Sequence, residues 1–234
     1  MRPTPGAASG QHLKTLDRGL RLLELLAETP GGMSVPELTS HLGSNRAIVY
    51  RLLKTLGEHR LVSRESPGRY RLGTGLLALA RSVSPHLQEV ASPHLARLAD
   101  AVRATAYLIV ADGDDAVVAM TAAPSNARVH VSYPVGLRHA LSLGAGGVAI
   151  LASRTPHTDD RSEVVDARAK GYASTFGDLT PGLHGLAAAI VPESDGQVHA
   201  AIGAVTFGEF DIAAAAPEIK SAARAVATAL AEQR

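Results

Sequence analysis

The sequence predicts an α+β fold in two domains, and three observations carry that expectation. Charge is divided unevenly, with 12 Lys and Arg against 6 Asp and Glu from Met1 to Val83, and 11 against 16 from Ser84 to Arg234. Near the N-terminus, short amphipathic segments joined by a tight turn precede two basic extended runs centred on Ser66-Pro67-Gly68. The rest of the chain places extended runs between helical stretches, the pattern of helices packed on a mainly antiparallel sheet. A basic half joined to an acidic half points to a module for a polyanion attached to a module with a different task.

With 234 residues, 46% of them hydrophobic, the chain can bury a substantial core. It has no cysteine, which excludes disulfides, thiolate zinc sites and cysteine nucleophiles and fits a reducing compartment. The first residues lack an apolar signal-peptide core, and no run approaches the roughly 18 apolar residues of a spanning helix. A cytoplasmic protein without a membrane partner is therefore expected. Only 3% of residues are aromatic and Trp is absent, so a single-strand binder built on base-stacking platforms is not expected.

Residues 1–11, rich in Pro, Gly, Ala and Ser, read as a disordered tail. From Thr15, apolar residues recur at Leu16, Leu20, Leu23 and Leu26, which is helical spacing, with Thr15 as a cap and Asp17 in the first turn. Ser34-Val35-Pro36-Glu37 supplies a capping box for a second helix ending at Leu42, and Gly43 suits a left-handed C-terminal turn. Ser44 can cap a third helix at once. Its apolar set, Ile48, Val49, Leu52, Leu53 and Leu56, forms one buried stripe, which leaves Arg46, Ala47, Tyr50, Arg51 and Lys54 off that stripe.

Such a face is what a helix presents to a major groove, where Arg reaches guanine or phosphate and Asn45 pairs with adenine. The following LVSRESPGRYRLG forms a hairpin wing, with Arg64, Arg69 and Arg71 on or beside it and available to phosphates. Three helices and a basic hairpin make a winged helix-turn-helix. Leu76 to Val83 is a short apolar helix broken at Ser84-Pro85 and reads as a linker. A longer helix through Leu87 to Val102, interrupted at Ser92-Pro93, leads into strands at AYLIVAD, AVVAMTA and RVHVSYP. Helices near 147–153 and 161–169, strands at 186–191 and 199–206, and an Ala-rich helix over 212–232 complete the reading.

These residues resemble the IclR-type transcriptional regulators over nearly the whole chain. TLDRGLRLLELLAE, SVPELTSHLG and SNRAIVYRLLKTL resemble the family's first three helices, and RYRLGTGLLALA its wing end and linker. VGLRHALSLGAGGVAILA and KGYASTFGDLTPGLHGLAAAI match two effector-domain segments in the right order. The resemblance implies a DNA-binding domain over 12–74, a linker helix over 75–84, and a GAF-like effector-binding domain over 85–234. It implies a homodimer, or a dimer of dimers, on a double-stranded operator. Base-reading positions would be Ser44, Asn45, Arg46, Ala47, Tyr50 and Arg51, with Lys54, Arg64, Arg69 and Arg71 on phosphate.

The implied effector pocket is lined by Leu141, Ser142, Gly144, Ala145, Gly146, Thr175, Leu183, Gly185, Gly203 and Val205. Where relatives often carry His, Thr and Lys in the first segment, this chain has Ser142, Gly144 and Val148. A pocket short of polar donors cannot compensate a carboxylate for lost water, so the expected effector is not a very small keto acid but different or bulkier.

Enzymatic readings are weaker. Gly144-Ala145-Gly146-Gly147-Val148-Ala149 fits a G-x-G-x-x-A spacing but lacks the following βαβ unit and its acidic residue. No G-x-S-x-G elbow is present, and no histidine pair has the i, i+4 spacing of a helical metal site. No catalytic residue, metal or cofactor is expected. The alternative is a small-molecule enzyme or sensor whose N-terminal module serves protein association.

Overall fold

A computed structural model describes residues 13–65, 68–126, 131–191 and 199–232. The chain divides into two compact units between Val83 and Ser84. The first runs α1 (Lys14–Ala27), β1 (Met33–Ser34), α2 (Val35–Leu42), α3 (Arg46–Glu58), β2 (Val62–Glu65), β3 (Arg69–Leu72) and α4 (Gly75–Arg81). The second runs α5 (Pro85–Val102), β4 (Thr105–Asp112), β5 (Asp115–Ala122), β6 (Arg138–Ala140), α6 (Gly144–Ser153), α7 (Ser162–Lys170), β7 (Ala173–Phe176), β8 (Leu183–Ala189), β9 (Ala200–Phe207) and α8 (Ile212–Glu232). Residues 1–12 and the turn residues Ser66 and Pro67 lie outside the described residues, as do 127–130 of the run read as a third strand.

In the first unit the capping box forms as the sequence dictates: Glu37 N–H donates to the Ser34 hydroxyl, and Ser34 N–H to the Glu37 carboxylate at 2.6 Å. Gly43 ends α2 in the left-handed region at φ 55°, which a side chain would disfavour. The core gathers Leu22, Leu26, Leu38, Leu42, Val49, Leu52, Leu53 and Val62. One expectation is corrected in α1. Its buried positions are Gly19, Leu22 and Leu26, whereas Leu16 and Leu20 are exposed. Gly19 faces Leu52 of α3 closely enough that a Cβ there would lie 3.7 Å from it, so the glycine, not a leucine, sets the contact. Nor does Thr15 cap this helix, whose N-cap is Leu13 without a side-chain bond. The wing gains a third strand, β1, giving the order β1-β3-β2.

In the second unit six strands pair antiparallel in the order β6-β5-β4-β9-β8-β7. One face carries Ala106, Leu108, Leu186, Ile202 and Ala204 against α5 and α8; the other carries Ile109, Val118, Ala187 and Ala201 against α6 and α7. Helix α5 runs unbroken through Pro93, contrary to the break expected there. Proline removes one ladder bond, but Val90, Ala91, Leu95, Leu98 and Ala99 bury a continuous face, and packing carries the helix across. Residues 131–134 are not a strand; the edge strand is β6, four residues further on. The turn-rich ASTFGD contains β7, the opposite edge, which periodicity over so few residues did not reveal.

Candidate functional site

Two places carry chemistry, one outside the first unit and one inside the second. On α3 the stripe of Val49, Leu52 and Leu53 is buried, and Arg46, Ala47, Tyr50, Arg51 and Lys54 are exposed. Among the described residues none of those side chains has a hydrogen-bond or ion-pair partner, so three cations stand free on one helix. The expected cap of α3 is corrected. Asn45, not Ser44, caps α3, its Oδ1 accepting from Ile48 N–H at 3.0 Å. A bidentate pairing with adenine needs that oxygen. The Ser44 hydroxyl is buried, without a partner among the described residues.

The wing arginines divide as well. Arg64 is exposed and unpaired among the described residues, whereas Arg71 pairs with Glu65 at 3.0 Å across the hairpin. Arg69, 43% exposed, is already engaged within the unit. Its guanidinium donates to the carbonyls of Gly31, at 3.1 Å, and Gly32, at 2.6 Å, and pairs with Glu37 at 3.3 Å. It ties the wing to the entrance of α2. The Ser34 backbone amide and hydroxyl, and then Arg69, hold the Glu37 carboxyl below its ordinary value.

In the second unit, Gly144, Ala145, Thr175, Leu183, Gly185 and Val205 come together around one cavity. Register explains half of this set, since Thr175, Gly185 and Val205 are cross-strand neighbours on β7, β8 and β9, beneath the N-terminus of α6. The remaining assigned residues do not line it. Leu141 is buried in the core below; Ser142 is exposed, its carbonyl accepting from Arg161 at 2.7 Å. Gly146 and Gly203 instead leave room for Tyr107: a Cβ at Gly203 would lie 2.7 Å from the Tyr107 hydroxyl, and one at Gly146 3.2 Å from its ring.

Tyr107, Tyr133, Asp178 and Leu179 complete the lining, and sequence reasoning missed all four. Tyr107 lies in a strand whose every early residue reads as core. The cavity measures about 20 Å³, room for roughly one water, because Tyr107 and Leu179 fill it. As folded it therefore has no space for the bulkier effector expected from composition. The rings of Tyr107 and Tyr133 meet edge to face at 5.2 Å, and the Tyr133 hydroxyl lies 3.2 Å from His139 Nε2. Burial, and then Tyr133, push the Tyr107 phenol far up, partly offset by a bond from the Gly146 amide. Burial pushes the Tyr133 phenol up to about 12. Both are neutral hydrogen-bonding phenols at physiological pH.

Residues 15–66 match the model of the IclR helix-turn-helix domain. Among curated proteins, the regulator BhcR of Paracoccus denitrificans is 28% identical over 79% of this chain and 75% of its own length. The regulator Rv1719 of Mycobacterium tuberculosis is 32% identical over 64% of this chain and 58% of its own. The first unit thus carries an IclR-type helix-turn-helix domain, and the chain is similar to IclR-type regulators along most of its length. Solved IclR structures share its fold: an IclR homologue of Microbacterium hydrocarbonoxydans, complexed with 4-hydroxybenzoate, superposes with a TM-score of 0.81 at 22% identity, covering 93% of this chain and 99% of that one. An IclR regulator of Alicyclobacillus acidocaldarius gives 0.77 at 23% identity over 93% and 99%. Among the described residues no helix is long and apolar enough to cross a membrane.

Proposed function

We propose that this chain is a ligand-responsive transcriptional regulator that reads a roughly palindromic operator as a dimer or a dimer of dimers. The observation that carries the reading is the exterior of α3, where Arg46, Arg51 and Lys54 project without partners among the described residues beside Ala47 and Tyr50, while the opposite stripe anchors the helix. A helix held that way can lie in a major groove, with Arg64 on a flanking phosphate. Its curated relatives are named as transcriptional regulators and repressors, and one structural neighbour was solved with a small aromatic acid. The cavity beneath α6 is the effector site in this reading. Self-association is supported by Leu13, Leu16 and Leu20 at α1 and by Leu77, Leu79 and Val83 at and after α4, all exposed large apolar residues of the first unit. Such a regulator works in the cytoplasm, alongside the chromosome.

The test is selection of an operator from random DNA, followed by fluorescence anisotropy. Arg46→Ala and Arg51→Ala should each weaken specific binding by about 1–3 kcal/mol, and affinity should fall steeply with salt as phosphate counterions are released. Unchanged affinity in both variants would retire the assignment of α3. Failure of the chain to retain any fragment at low salt would retire DNA binding itself.

A further inference from the structure

We infer that the β7–β8 turn is an intrachain plug of the effector cavity, and that Asp178 makes this site select uncharged effectors over carboxylates. The inference rests on reading that cavity as the effector site and names the class of ligand it takes. Helix α6 opens with Gly144, Ala145 and Gly146, whose amides have no partner within the helix and form its positive end. An anionic ligand group is the ordinary occupant of such a place. Here the chain supplies its own. Asp178 Oδ2 accepts from Gly144 N–H at 3.3 Å, and the Tyr107 ring packs against Gly146, 3.2 Å from where a Cβ there would lie. Leu179 sits beside them, its Cδ1 2.9 Å from where a Cβ on Gly144 would lie.

Asp178 is the one charged side chain among the described residues that line the cavity, and no lysine or arginine there offsets it. A carboxylate entering must displace one anion from the Gly144 amide and remain near it, whereas a neutral polar group meets Asp178 as an acceptor and the phenols as partners. The turn is built to yield. Gly177 at φ 75° and Gly182 at φ 80° bracket its tip, and Gly177 N–H donates to the Leu183 carbonyl at 2.9 Å. The tip can swing while that base bond and the β7–β8 ladder hold. Asp178 is exposed, so it meets water on leaving.

Calorimetry on the full chain with benzoate and benzamide, alike in shape and different in charge, tests this. The wild type should bind benzamide about tenfold or more tightly than benzoate, and Asp178→Asn and Asp178→Ala should each move that ratio about tenfold or more toward benzoate. Leu179→Ala should strengthen both probes and leave the ratio alone. Preference of the wild type for benzoate, or a ratio unmoved by either Asp178 variant, would overturn the inference. Failure of both probes to bind Asp178→Ala would overturn it too, since removing the anion would then admit nothing. Operator binding by the ligand-free proteins separates the outcomes: if it persists while the ratio stays fixed, only the plug fails.

Discussion

The two sites are built in opposite ways. On α3 the side chains proposed to meet DNA are those the fold leaves unused, and they face outward on a helix held from behind by Val49, Leu52 and Leu53. Beneath α6 the positions proposed to meet an effector are small or apolar residues and one threonine, and neighbouring side chains already fill the space they frame. The first arrangement separates binding from stability, because truncating an exposed cation removes no packing. The second couples them, because every group at the cavity also closes the core. A rigid outward site suits a polyanion that supplies its own shape; a self-filled inward site suits a ligand that must displace something to be sensed.

Tyrosine occurs in both places and gives the sharpest contrast. Tyr50 is 55% exposed and Tyr107 3%. Tyr107→Ala should destabilise by about 3–5 kcal/mol, the usual scale for emptying a large aromatic site, and Tyr50→Ala by no more than about 0.5 kcal/mol. Urea unfolding followed by circular dichroism measures both, and equal losses would break the comparison. A milder change, Tyr107→Phe, keeps the ring and removes one buried phenol oxygen, and should cost about 0.5–1.5 kcal/mol. A loss near zero would show that water replaces the phenol oxygen.

Next in size, the wing separates free from engaged arginines. Arg69→Ala should lower stability by about 0.5–1.5 kcal/mol through its lost carbonyl bonds, with little change in the salt dependence of DNA binding. Arg64→Ala should leave stability alone and reduce the salt slope by about 1. An exchange of these two results would reverse the roles given to the arginines. The smallest effect is a pH dependence. Because Glu37 titrates below its ordinary 4.5, its contribution is complete above that value and is lost as pH falls through the lowered one. The stability difference between wild type and Glu37→Gln should therefore be present at about pH 6 and shrink by about pH 3. A difference that persists in acid would place its origin outside the carboxylate.

Local rules were enough for much of the first unit. Ser34 and Glu37 lie at the spacing a capping box requires, Gly43 at the place a left-handed turn requires, and the α3 stripe repeats over enough turns to fix which face is buried. Local rules erred where a distant partner decided. Arg69 was drawn to Gly31 and Gly32, more than thirty residues away in the chain, while the choice of Asn45 over Ser44 as the cap lay between neighbours. Leu16 and Leu20 had helical spacing, yet spacing cannot say which side of an apolar helix meets its neighbour. In the second unit the segments around Gly144 and Thr175 were legible through family resemblance. Asp178, Leu179, Tyr107 and Tyr133 carried no local signal, because a turn, a strand and a loop look ordinary until they converge.

By itself the sequence determined the order of the helices, the split of charge between the two units, and the outward face of α3, since each is written in residues close together along the chain. Tertiary structure alone decided which arginines remain free and what fills the space below α6. Those outcomes depend on strand register and on groups far apart in the chain competing for the same amide or the same volume, and periodicity along a chain holds no record of that competition.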